Sequence, residues 1–158
     1  MTDLPAVRGL HHIKIPVSDL GRSIAWYTSV LSARRREALD HIALDGTLFA
    51  VILDVPGTGV PLELRSDPVS AGRLSGFDPL TFLVHDRAAL DGWIHHLDGL
   101  GVAHSPVLVA MTGYLLVVPD PDGVRLRFYT GEAHGLGPER VDFASAWLRP
   151  GPVPHTTA

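Results

Sequence analysis

The chain has 158 residues, 46% hydrophobic and 19% charged, a balance that supports a packed core and excludes a disordered polymer. Its formal net charge of −4 offers no basic field to a nucleic acid backbone, and no apolar run reaches the roughly 20 residues needed to cross a bilayer. There is no cysteine, so disulfides, thiolate nucleophiles and thiolate metal sites are excluded. The opening MTDLPAVRGL has neither a basic nor an apolar leader segment, and a soluble cytoplasmic protein is expected.

The first periodic segment runs from His12 to Val17. His12 and Lys14 fall on one side and Ile13, Ile15 and Val17 on the other, which predicts a strand with one buried face. Ser18 or Asp19 then supplies an N-cap, and Leu20, Ile24, Tyr27 and Leu31 fall at helical spacing. Further strands are expected over roughly 35–43, 48–55 and 61–65, with PGTG as a turn and residues 67–78 as a linker. The pattern then begins again. Leu80, Phe82 and Val84 form the apolar side of a strand and Asp86 caps a helix. Leu90, Trp93, Ile94 and Leu97 make its stripe, and Gly99 and Gly101 end it. Strands over roughly 104–110, 114–118 and 124–129 follow, with PDPDG as a turn. Beyond Tyr129 the periodicity dissolves; Ala144 to Leu148 reads as a short helix and the last ten residues as loose.

Val17, Asp19 and Trp26 recur as Val84, Asp86 and Trp93, all at one offset of 67 residues, which points to an internal duplication. Each copy reads as strand, helix, then three strands. The expected fold class is therefore α+β, with two βαβββ modules at 9–66 and 79–131, the linker 67–78 between them and an extension over 132–158.

The phrases HHIKIPVSDLGRSIAWYTSVL and VPDPDGVRLRFY resemble the opening and closing signatures of the vicinal oxygen chelate superfamily, the group of glyoxalase I, bleomycin- and fosfomycin-resistance proteins and extradiol dioxygenases. The resemblance implies mixed sheets curled into a cup with helices on the outer face, and in many relatives a homodimer. It also implies four positions that hold a divalent metal in metal-dependent members: here His12, Glu63, Pro79 and Arg127. Only His12 and Glu63 are ligand types. Pro79 has no donor side chain and Arg127 is a cation, so no resident metal cofactor is expected, with His12 and Glu63 as relict positions.

Strand parity sorts the remaining side chains. His12, Lys14, Glu63, Arg65, Thr81, Leu83, Arg125, Arg127 and Tyr129 should face the cup, and Ile13, Ile15, Val17, Leu62, Leu64, Leu80, Phe82, Val84, Leu126 and Phe128 the core. His12, Glu63 and Arg127 form the expected catalytic set, with Glu63 and Arg127 pairing bidentately where relatives keep an ion. In a dimer the two members of that pair would come from different chains. Lys14, Arg65, Thr81, Tyr114 and Tyr129 form the expected ligand-binding set, Arg125 being read as a solvated rim residue and the two tyrosines equally as packing groups. His95 and His96 are adjacent on one helix and cannot share a ligand face. The expected function is metal-free binding of a small acidic or aromatic molecule. The alternatives are a metal-independent isomerase, cyclase or lyase with His12 or Glu63 as base, and a metal-dependent lyase or dioxygenase.

Overall fold

In the computed structural model, which describes residues 5–152 and 154, the duplication appears as two helix-backed sheets. Strand β1 (Ile13–Val17) leads into helix α1 (Leu20–Leu31), whose first turn is closed by the Asp19 carboxylate accepting from the Arg22 backbone N–H at 2.9 Å. The expected strand over 35–43 is instead two short bridges, β2 (Arg34–Arg35) and β3 (His41–Ile42), separated by a 3₁₀ turn at Glu37–Leu39. An ion pair between Arg35 and Asp40 closes that turn and breaks the strand. Strands β4 (Leu48–Asp54) and β5 (Leu62–Ser66) complete the first sheet in the order β1-β5-β4-β2, with β3 also on β4.

The linker is not irregular. Asp67 caps a helix, α2 (Pro68–Leu74), with Pro68 in its first turn where a missing N–H costs nothing. Strand β6 (Leu80–Val84) and helix α3 (Arg87–Leu100) repeat β1 and α1 at the same 67-residue offset, Asp86 capping and Gly101 closing at φ 66°. Of the strand expected over 104–110 only β7 (Leu108–Val109) forms. Strands β8 (Tyr114–Pro119) and β9 (Arg125–Thr130) finish the second sheet in the order β6-β9-β8-β7.

Parity places the core as expected. Ile15, Val17, Leu62, Leu64, Leu80, Leu126 and Phe128 are buried in one cluster with Tyr27, Leu31, Leu90 and Leu97 from α1 and α3. Both sheets thus give their apolar faces to the helices and keep a second, helix-free face. The two modules are also clasped through one turn. The turn after β8 sends Asp120 to the Tyr27 hydroxyl at 3.0 Å and Asp122 to Ser18 and Arg22. No helix forms at Ala144–Leu148; the segment is a series of turns that packs Trp147, 8% exposed, against Leu108, Ala110, Leu115 and Val117. Residues 149–152 are held rather than loose, whereas the end of the expected loose tail lies outside the described residues.

Candidate ligand site

The helix-free face of the first sheet is set by register. Lys14 lies opposite Glu63 on the parallel β1–β5 pair, and Glu63 lies opposite Ile52 on the antiparallel β5–β4 pair. Glu63 is only 2% exposed and both of its oxygens are engaged. Arg65 Nε donates to Oε1 at 2.9 Å, Lys14 Nζ lies 3.4 Å from the same oxygen, and His12 Nε2 lies 3.2 Å from Oε2. His41 Nδ1 stands 4.0 Å away on the outer side. Burial pushes the Glu63 carboxyl up, but Arg65 and Lys14 outweigh it and hold the group below the ordinary glutamate range. The Phe49 ring extends the patch, with the Arg65 guanidinium 5.4 Å above it and the His41 ring 5.7 Å away.

His12, Lys14, Glu63 and Arg65 are therefore brought together as expected. Arg127 is not with them. Its guanidinium pairs with Asp78, which lies just before β6, so the pairing of Glu63 with Arg127 does not occur within the chain. Thr81 lies opposite Arg127 on β6 and is exposed. Tyr114 packs against the main core and the His134 ring, with the Arg87 guanidinium 5.9 Å from its ring centroid, and Tyr129 packs beside Trp147. Burial raises the Tyr129 phenol, yet hydrogen bonds from Thr112 and Gly113 prevail and hold it below the usual tyrosine value. Arg125 corrects the expectation most sharply: it is 2% exposed, not a solvated rim residue, because its guanidinium donates to the main-chain carbonyls of Trp147, Arg149, Gly151 and Pro152.

Sequence parity missed His41, Phe49 and Asp78. His41 carried a usable signal, an alternating position beside a strand, but the break at Glu37–Leu39 hid its register. The residues at the four relict positions do not fit a divalent ion. Pro79 offers nothing, Arg127 is a cation already bound to Asp78, and both Glu63 oxygens face nitrogen atoms of its neighbours. Among the described residues, no group of three or more His, Asp or Glu side chains is placed to hold a metal. Nor does any described helix have the length and apolarity to cross a membrane. A separate apolar cavity of about 380 Å³ opens on the core side between the modules, lined by Ile13, Leu62, Phe82, Trp93, Phe128 and the loop from Val55 to Val60.

Two helix-backed mixed sheets, each built as βαβββ and each with a helix-free face, define a duplicated α+β architecture. Residues 9–128 match the model of the Glyoxalase/Bleomycin resistance protein/Dioxygenase superfamily, and the chain belongs to that superfamily. Among solved structures it is similar to a glyoxylase/bleomycin resistance protein/dioxygenase domain from Frankia sp. EAN1pec, at 26% identity and a TM-score of 0.62 over 80% of this chain and 100% of that one. TnmS3, an antibiotic binding protein from Streptomyces sp. CB03234, shares the fold at 19% identity and a TM-score of 0.64 over 80% of this chain and 98% of its own. So does the fosfomycin resistance protein FosX from Listeria monocytogenes, at 17% identity and 0.61 over 80% and 95%. A mutant of that Listeria protein is complexed with Mn(II) and 1S,2S-dihydroxypropylphosphonic acid. No curated protein matches the chain.

Proposed function

We propose that this chain is a metal-independent binding protein for a small organic anion, and that the ligand's charge is met by the platform of His12, Lys14, Glu63 and Arg65. One observation carries the reading: a single carboxylate, Glu63, lies almost fully buried among four nitrogen-bearing side chains that are themselves a third to a half exposed. Lys14 and Arg65 bring two positive charges against one negative, so the open face stays cationic with both histidines neutral. Phe49 beside Arg65 favours a ligand with a flat apolar body, an aromatic carboxylate or phenolate. The antibiotic-binding and fosfomycin-resistance relatives support a small-molecule ligand. We place the protein in the cytoplasm and expect it to act as a homodimer, as the family resemblance implies.

Calorimetric titration with a panel of aromatic carboxylates tests the reading. Lys14→Ala and Arg65→Ala should each weaken the best ligand about 5- to 30-fold, the loss of one charge-assisted contact. Unchanged affinity in both variants would remove the platform from the site. Elemental analysis of the purified protein should find no stoichiometric metal; one ion per chain that is lost in His12→Ala would overturn metal independence.

A second reading is favoured by the contact of His12 Nε2 with Glu63, which can orient a half-exposed imidazole as general base for an isomerase or lyase reaction. In that case His12→Ala should lower turnover about 100-fold or more while leaving ligand affinity within a few-fold.

A further inference from the structure

The helix-free face of the second sheet differs from that of the first because the chain itself covers it. Strand register puts Leu115 opposite Tyr129 and Val117 opposite Arg127 on this face, and the Trp147 side chain buries Leu115 and Val117 together with Leu108 and Ala110. Beside that apolar seat lies Arg125. Its bonds run to four neutral main-chain carbonyls at 2.6–3.2 Å, its Nε has no partner, and no carboxylate reaches it within ion-pair distance among the described residues. The Nε of Arg127, two residues along the same face, is also buried without a partner among the described residues.

Asp78 acts on Arg125 only at longer range, is itself paired to Arg127, and is opposed by the Arg127 charge, so the direct partners of this buried guanidinium are all carbonyl dipoles. A carboxylate in contact would supply stronger, charge-assisted hydrogen bonds. The covering segment shows what shape the seat accepts: a flat aromatic ring against branched aliphatics, with oxygen atoms delivered to Arg125. The cover is also weakly built. From Ala144 to Pro152 it has no helix or strand, and what holds it on the sheet is the packing of Trp147 and Leu148 and the bonds from one arginine. Segments of that kind open at low free-energy cost. Upstream, Asp142 is stapled to Val109 by its backbone N–H at 3.0 Å and its carboxylate at 2.7 Å, which gives the segment a fixed pivot. The segment also lies beyond residues 9–128 matched by the superfamily, and the Frankia neighbour is covered in full by 80% of this chain.

We propose that residues 144–152 are a displaceable strap occupying a second binding surface in cis, and that the surface beneath takes an aromatic carboxylate with Arg125 as its anion anchor. The strap and the ligand compete: Trp147 leaves Leu115 and Val117 as the ring arrives, and the carboxylate replaces the strap carbonyls on Arg125. Within one chain this surface is separate from the His12–Glu63 platform, and the proposal does not rest on the reading given for that platform.

The test uses the full chain labelled with 5-fluorotryptophan, the Trp147 resonance being assigned with Trp147→Phe, and 2-naphthoate as probe. Titration should move the Trp147 resonance from a buried to a solvent-exposed position, and Lys14→Ala should leave the midpoint unchanged. The uncharged 2-naphthylmethanol should need at least about tenfold more ligand, since it lacks the charge that Arg125 answers. By calorimetry, full-length Trp147→Ala should bind 2-naphthoate about tenfold more tightly than wild type, because a surface already open carries no closing penalty. A Trp147 resonance that stays put at saturation, equal midpoints for acid and alcohol, or a shift abolished by Lys14→Ala would each overturn the proposal. Weaker or equal binding by a folded Trp147→Ala would do the same. If that variant fails to fold, amide exchange on wild type decides: protection at Trp147 and Leu148 must fall, not rise, when 2-naphthoate is added.

Discussion

Glu63 holds one negative charge among Lys14, Arg65 and two histidines, so replacing it should move stability and ligand affinity in opposite directions. Burial raises its carboxyl, but its cationic neighbours prevail and the folded-state value lies below the ordinary one. A depressed carboxyl adds stability above its unfolded pKa and loses it as pH falls through the folded value, so the loss belongs to the acid side, below about pH 4. Glu63→Gln should therefore be about 1–2 kcal/mol less stable than wild type at neutral pH. The gap should close as the wild-type group is protonated, which urea unfolding at several pH values would show. Freed of that carboxylate, Lys14 and Arg65 should hold an aromatic carboxylate several-fold more tightly. A gap independent of pH would mean that Glu63 acts through its packing and not its charge. His12, Lys14, Glu63 and Arg65 were legible because a two-residue period fixes which face a strand residue shows. Arg125 was not, since its partners are main-chain carbonyls, and every residue of the chain has one.

The turn from Pro119 to Gly123 was read from its composition alone, yet it works as a clasp between modules. Asp120 accepts from the Tyr27 hydroxyl across 93 residues of sequence, and Asp122 accepts from the Ser18 backbone N–H across 104. No local pattern announces such partners, which is why the element was visible and its use was not. The clasp has a measurable pH signature. Burial pushes the Asp120 carboxyl up to about 6, against the pull of hydrogen bonds from Tyr27 and from the Val124 and Asp122 backbone, and the nearby Asp122 charge adds to the rise. A folded pKa above the unfolded one contributes stability that is fully present below the unfolded value and is lost as pH rises through the folded one. Wild-type stability should thus fall between about pH 4 and pH 7, by up to about 3 kcal/mol for a rise of this size. Asp120→Asn keeps an oxygen for the Asp122 and Val124 amides and should flatten that fall. Parallel pH profiles for the two proteins would assign the titration to another group. At the same scale, Tyr27→Phe removes the hydroxyl and leaves the buried carboxylate one bond short, which should cost about 1–3 kcal/mol in chemical denaturation.

Across the whole molecule the duplication survives in backbone and has diverged in chemistry. Strands β1 and β6 and the caps Asp19 and Asp86 keep the 67-residue offset, and that regularity made the fold readable. The free faces have parted: one is an open cationic platform, the other is covered by the chain's own strap. Periodicity cannot report this, because it fixes the side of a sheet and not what lies upon it. The same asymmetry bears on assembly. Among the described residues, strands β1 and β6 each pair on one side only, β1 with β5 and β6 with β9, so each sheet ends in an edge that no described strand covers. On β6 that edge carries Leu83, 80% exposed, with Phe77 just upstream at 56%. Edge strands bearing large apolar side chains are usually covered or blunted, and charged residues are the common means of blunting them. Leu83 and Phe77 are neither charged nor covered by the described residues, which fits burial against a second copy of the chain. Sedimentation velocity at micromolar concentration should therefore find the wild type dimeric. Leu83→Glu, a surface change that removes no core contact, should shift it to monomer without lowering the unfolding midpoint of the monomer itself. A wild-type protein that sediments as a monomer, or a Leu83→Glu variant that remains dimeric, would show that this edge is left open or that another surface makes the contact.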